Sequence, residues 1–253
     1  MNAHTYKKEW IAEEQATFSG WDFSHLDGRW NEKHLPWDYP SLVRKYLSPE
    51  HRLLDLGTGG GEFLLSLGHP MQNTCATEGW LPNYHLSCKR LAPLGATVVH
   101  ANGREVPLPF DDAQFDVIHN RHGAYTAGEI LRLLKPGGVF LTQQVGGENN
   151  QALGRALFSN YQAPFPGFCL ESERTQFAAL GFELLESGET VFPIHFYDVG
   201  ALVYYAGHIP WEFPGFSVEH CFSALLELQQ KVEQQGYFET YWHRFFMVLR
   251  KPV

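Results

Sequence analysis

Residues 52–63 constrain this chain more than any other stretch. A short apolar run, 52–56, enters Gly57-Thr58-Gly59-Gly60-Gly61, and a helical pattern starts at Glu62. Glycine tolerates positive φ and brings no Cβ to block a ligand approaching the backbone. In an open α/β sheet such a turn lies at the carboxyl end of a strand, where ligands bind. The chain that follows suits this setting. Segments 74–78, 96–101, 115–121 and 139–145 read as further strands, with helices over 81–92 and 126–134 between them. Strands alternating with helices imply a mostly parallel, doubly wound α/β sheet with helices on both faces.

The remainder is less regular. Helices are expected over 151–158, 172–180, 198–206 and 217–235, and strands over 182–192 and 245–249. In the long helix Val218, Cys221, Phe222, Leu225, Leu228 and Val232 recur at helical spacing, and Gly236 stops it. Ahead of the sheet come a helix over 6–18, an irregular stretch 21–39 and a helix over 40–47. The irregular stretch holds Trp21, Phe23, Trp30, Trp37 and Tyr39. Loops rarely carry that much aromatic surface unless they pack on something. The expected organisation is an extension, 1–39, acting as a lid over a single domain, 40–253.

What the turn holds can be narrowed. The dinucleotide fingerprint G-x-G-x-x-G needs glycine at position 62, where this chain has Glu62. A carboxylate there occupies the positive helix end that a pyrophosphate would use. Glu78 ends the second strand, 23 residues after Asp55, where a carboxylate can accept both hydroxyls of a ribose. The ligand is then a nucleoside without phosphates, cationic or zwitterionic. The plainer alternative is a tight turn beside a surface glutamate.

Four stretches taken in order carry a resemblance: 53–63, Glu78, Leu108-Pro109-Phe110-Asp111-Asp112-Ala113-Gln114-Phe115-Asp116-Val117-Ile118, and Leu134-Lys135-Pro136-Gly137-Gly138-Val139-Phe140. Together they resemble the class I (Rossmann-like) methyltransferases that use S-adenosyl-L-methionine, closely over about residues 40–145. The resemblance implies a seven-stranded sheet ending in a C-terminal antiparallel hairpin. It implies S-adenosyl-L-methionine as cofactor, with Asp55, Gly57, Thr58, Gly59 and Gly61 forming its turn and Glu78 and Gly79 at the ribose. Asn102 and Gly103 fall where the adenine is held, although relatives often have aspartate at the first of these; an asparagine oxygen can still accept from the amino group. Asn120 completes the expected cofactor contacts.

Methyl transfer needs a nucleophile aligned with the methyl group and, where the nucleophile is protonated, a base. The fourth strand ends in Asn120-Arg121-His122-Gly123-Ala124-Tyr125. His122 is the candidate catalytic base, its ordering of the loop being the alternative. Arg121, Tyr125, Gln143, His195 and Tyr197 are candidate substrate contacts. No metal is expected: the odd separation of His119 and His122 sends them to opposite faces of a strand.

Composition weighs on the partner. The formal net charge of −9 disfavours a protein that must neutralise many phosphates. No N-P-P-Y-like tetrapeptide follows the fourth strand, against the resemblance's pattern for many nucleic-acid amino-group modifiers. A small molecule, aromatic or heterocyclic and methylated on oxygen or nitrogen, is the leading reading. RNA or protein methylation and a catalytically silent cofactor-binding module are the alternatives; oligomeric state is not read from the sequence. Four cysteines without a C-x-x-C pair, no signal-peptide pattern and no long apolar run suggest a cytoplasmic protein without a membrane anchor.

Overall fold

A computed structural model describes residues 2–31 and 34–253; positions 32 and 33 of the aromatic-rich stretch lie outside the described residues. The chain divides into two compact units. One, the sheet unit, comprises Leu35–Val145, Phe168–Glu189 and Arg244–Val253; the other, the helical unit, comprises Met1–His34, Gly146–Gly167 and Thr190–His243.

The sheet contains β1 (Leu53–Leu56), β2 (Thr74–Glu78), β3 (Thr97–His100), β4 (Phe115–Arg121), β5 (Leu134–Val145), β6 (Glu183–Phe196) and β7 (Phe238–Arg250). Their order is β3-β2-β1-β4-β5-β7-β6. The first five run parallel, and β7 returns antiparallel to β5, with Gln143 opposite Phe246. This is the seven-stranded, doubly wound sheet with an antiparallel end that the sequence implied.

Because side chains alternate along a strand, each strand feeds two cores. Leu53, Val117, Leu141, Phe246 and Val248 pack on one face with Tyr39, Val43 and Leu64. Leu54, Leu56, Ile118, Phe140, Phe245 and Met247 pack on the other with Ile130, Leu133 and Phe177. Helices α2 (Tyr39–Tyr46) and α3 (Glu62–Ser66) thus contribute to the first core, and α5 (Ala127–Leu133) and α7 (Leu170–Ala179) to the second. Each fully buried leucine or phenylalanine contributes about 1.5–3 kcal/mol. Between β2 and β3 runs α4 (Leu81–Leu91), whose Leu91 is fully buried.

The boundaries of β2 and β4 fall where the sequence put them, while three strands are longer. β5 begins at Leu134, not 139, because a register shift opposite Phe115 and Val117 absorbs Lys135–Gly138 without ending the ladder. β6 runs through Pro193 to Phe196; a strand at the sheet's edge tolerates a proline. β7 starts at Phe238, not 245, its first half being too polar to read as a strand.

The helical unit contains α1 (Ala3–Glu14), α6 (Gln151–Leu157), α8 (Val199–His208) and α9 (Val218–Gln235). Its core joins Trp10, Leu26 and Trp30 to Leu153, Leu202, Tyr205, Phe213 and Leu225. The early aromatics are therefore packed against segments far along the chain. Arg29 bridges Glu13 at 2.9 Å and Asp198 at 2.6 Å. Asp198 in turn caps α8 by accepting the Ala201 N–H at 2.7 Å. No helix among the described residues is long and apolar enough to cross a membrane.

Candidate active site

The glycine turn is pinned to β2 by backbone bonds and by one oxygen of a carboxylate. The N–H groups of Gly57 and Thr58 donate to the Thr77 carbonyl at 3.0 and 2.9 Å. Glu78 Oε2 then accepts the Gly59 N–H at 2.7 Å, and Oε1 accepts the Trp80 N–H at 2.8 Å. Gly59 sits at φ +61°, a left-handed conformation that a β-branched residue resists. Neighbouring strand ends also come very close. A Cβ at Gly57 would lie 3.6 Å from the Gly123 Cα, and one at Gly103 would lie 1.9 Å from the Ala124 carbonyl oxygen. The loops after β1, β3 and β4 are thereby drawn into one cluster at the carboxyl edge of the sheet.

Two acids are buried at this edge, Asp55 at 2% and Glu78 at 8% exposure. Burial pushes the Asp55 carboxyl above its ordinary range, opposed by His119, whose Nε2 is 3.5 Å from Oδ1. Burial raises Glu78 too, opposed by its bonds to the Trp80 and Gly59 N–H groups and reinforced by repulsion from Asp55. Among the described residues neither acid is ion-paired to a lysine or arginine. Each Glu78 oxygen retains a further lone pair, enough for two ribose hydroxyls. A cationic nucleoside fits this donor set, and a phosphate does not.

The sign of the pH effect follows. Both acids hold their protons more tightly folded than unfolded, so their ionisation costs stability, and that cost disappears as pH falls through the folded pKa. A cationic ligand favours the ionised forms. S-adenosylmethionine binding is therefore expected to release protons just above the ordinary carboxylate range, and to weaken as pH falls. Calorimetry in two buffers of different ionisation enthalpy measures this; proton uptake on binding is the opposite result.

Asn120, fully buried at the end of β4, joins three strands. Its Nδ2 donates to the Leu56 carbonyl at 2.7 Å, and its Oδ1 accepts from Gln144 Nε2 at 2.5 Å and Thr142 Oγ1 at 3.3 Å. Its carbonyl accepts the buried Tyr39 hydroxyl at 2.9 Å. The side chain is committed to the scaffold of the site.

Arg121 and His122 follow. The Arg121 guanidinium lies 5.2 Å from the centroid of the Phe63 ring, which also meets Tyr39 and His119. Gln143 is in register with Arg121 across the β4–β5 ladder. Its Oε1 accepts the Trp37 indole N–H at 2.8 Å, and its Nε2 lies 3.0 Å from His122 Nε2. His122 has φ +59°, rare for a residue other than glycine and a mark of backbone held for a purpose. Crowding by protein, then the Arg244 and Arg121 guanidiniums, push its pKa well below the usual histidine value. The residue itself is exposed at the surface.

The other expected contacts are placed less centrally. Asn102 is exposed and its Oδ1 accepts the Arg104 N–H at 3.0 Å. Tyr125 donates to Glu173 at 2.6 Å and packs on Phe140 and Phe177, in the second core. His195 and Tyr197 belong to the helical unit, His195 pairing with Glu239 at 2.9 Å and stacking on Tyr237. Phe63 joins these groups without being a candidate on the sequence. Phe63 is the second residue of α3, and that position directly after the glycine turn was the available signal.

Residues 54–142 match the model of the family described as the methyltransferase domain. No curated protein matches the chain. Among solved structures, a putative methyltransferase from Bacillus halodurans is 15% identical with a TM-score of 0.57, covering 85% of this chain and 99% of that one. The (4+2)-cyclase SpnF is 19% identical with a TM-score of 0.54, covering 99% and 93%. A methyltransferase from Thiobacillus denitrificans, in complex with S-adenosyl-L-homocysteine, is 18% identical with a TM-score of 0.50, covering 90% and 96%. The fold is thus that of the class I, Rossmann-like methyltransferases. Over residues 54–142 this chain matches a methyltransferase domain.

Proposed function

We propose that this enzyme transfers the methyl group of S-adenosylmethionine to an oxygen or nitrogen of a small aromatic or heterocyclic molecule. The observation that carries the substrate reading is the cluster at the ends of β4 and β5. There Trp37 and Phe63 supply ring surface beside the polar groups of Arg121, His122 and Gln143, with the buried Tyr39 stacked on Phe63. An aromatic wall with a few convergent polar groups suits a small flat ligand. The net charge of −9 argues against a polyanionic one. The glycine turn, Glu78 and Gly79 would hold the cofactor, and the loop at Asn102 and Gly103 its adenine. Bound there, the cofactor supplies an electrophilic methyl group on sulfur. His122 would touch the substrate next to the nucleophile. His195, Tyr197 and Tyr125 are substrate contacts proposed in the same reading.

Incubating the protein with methyl-labelled cofactor and a cell extract split into small molecules, RNA and protein tests the proposal. Label is expected in the small-molecule fraction. Label in RNA or protein alone overturns the substrate class, and no transfer despite tight cofactor binding favours a silent module. The lid assigned to residues 1–39 belongs to the same proposal, since excluding water protects a sulfonium. Hydrogen exchange over residues 20–39 should slow when S-adenosylhomocysteine binds; unchanged exchange removes the lid.

A further inference from the structure

We infer that Trp37 and Gln143 fix the His122 imidazole as a hydrogen-bond donor, and that this donor with Arg121 receives a substrate whose nucleophile is an anionic oxygen. The inference rests on the methyl-transfer reading and narrows it to a carboxylate or phenolate.

The Trp37 indole nitrogen has no choice of role. An indole N–H only donates, so Trp37 Nε1, 2.8 Å from the Gln143 side chain, must face its oxygen. The Gln143 amide is thereby oriented, with Nε2 turned to His122 Nε2 at 3.0 Å. An amide NH2 only donates, so His122 Nε2 must accept, and the ring proton sits on Nδ1. The backbone fixes the same pair, because the His122 N–H donates to the Gln143 carbonyl at 2.8 Å. Among the described residues nothing accepts from Nδ1, and the ring is open to solvent.

A general base needs a free lone pair, and the one basic nitrogen of this ring is already engaged by Gln143. The low pKa of the group agrees with an imidazole that stays neutral. The site therefore offers an N–H. Arg121 offers more donors beside it: its guanidinium rests on the Phe63 ring, is exposed, and has no carboxylate within ion-pair distance among the described residues, Asp55 attracting it only from further off. A neutral N–H donor and a cation together repel an ammonium group and favour an oxyanion. The chemistry then balances without a base. A lone pair of the oxyanion forms the new bond to the methyl carbon, the carbon–sulfur bond breaks with its electrons going to sulfur, and no proton is released. Trp37 and Gln143 are positioning residues in this scheme.

The test uses the full chain with 15N-labelled histidine rings at neutral pH, S-adenosylhomocysteine present, and benzoate or benzylamine as probes. His122 is expected to carry its proton on Nδ1 in the parent. Trp37→Phe keeps the ring but removes the N–H, and Gln143→Leu removes the donor; both should give mixed tautomers. Benzoate should shift the Nδ1 signal, and Arg121→Gln should weaken its binding about 10–100-fold, the worth of hydrogen bonds to a charged group. Nε2 protonated in the parent, or an unchanged tautomer in both variants, overturns the relay. Benzylamine binding in place of benzoate, or no response to benzoate, overturns the substrate class. Calorimetry of S-adenosylhomocysteine on the same samples reports on the cofactor reading separately, because the tautomer is read from the protein itself.

Discussion

Gly59→Val is expected to abolish S-adenosylhomocysteine binding while the protein stays folded. Gly59 holds φ +61° and gives its N–H to Glu78 at 2.7 Å, so a single residue sets both the shape of the turn and its tie to β2. Valine in that region of backbone space costs about 1–3 kcal/mol, which the turn can relieve only by moving. Movement breaks the bond to Glu78 and brings a branched side chain where the nucleoside would approach. The core is untouched, since the sheet's apolar residues lie below the turn in two clusters that do not include it. Circular dichroism and a melting curve should therefore resemble the parent's. Glu78→Ala gives the graded version: loss of about 1.5–3 kcal/mol of cofactor binding, the worth of hydrogen bonds to a charged group. Parent-like affinity in Glu78→Ala would show that the carboxylate serves the turn and not a ribose.

Asn120→Leu should instead unfold the protein more easily. The side chain is fully buried and bonds the Leu56 carbonyl, the Gln144 amide and the Thr142 hydroxyl at 2.7, 2.5 and 3.3 Å. Leucine fills similar space but takes the donor from the Leu56 carbonyl, at about 1–3 kcal/mol for a buried group left unsatisfied, and thins a network in which the Gln144 amide and Thr142 hydroxyl still hold each other at 2.8 Å. Gln144 keeps the Gly123 carbonyl at 3.2 Å, which softens its loss. The expected total is about 2–4 kcal/mol, seen as a lower denaturation midpoint at unchanged slope. A change below about 0.5 kcal/mol, the usual range for surface substitutions, contradicts the scaffold role.

Much of this was legible in the chain. β2 and β4 are short, apolar and bounded by turn residues, so periodicity gave their limits. The glycine turn and Glu78 were readable because backbone conformation and one carboxylate carry them. The extended strands were not: Lys135–Gly138 reads as a turn, and whether it interrupts β5 depends on the register with β4. Pro193 reads as a stop until β6 is known to lie at an edge. The role of His122 depends on which atom of Gln143 faces it, and that is decided by Trp37, 106 residues away in sequence. Such a relay has no periodicity or spacing to betray it. The ties of Asn120 to the scaffold were hidden for a similar reason, since its three side-chain partners come from β1 and β5.

The glycine turn decides which cofactor the protein binds. Titrating the parent protein by calorimetry with S-adenosylmethionine, and separately with NAD, tests that claim directly. S-adenosylmethionine should bind with micromolar affinity, Gly59→Val should remove the signal, and NAD should give none, because Glu62 stands where a dinucleotide turn needs glycine. NAD binding more tightly than S-adenosylmethionine would contradict the account.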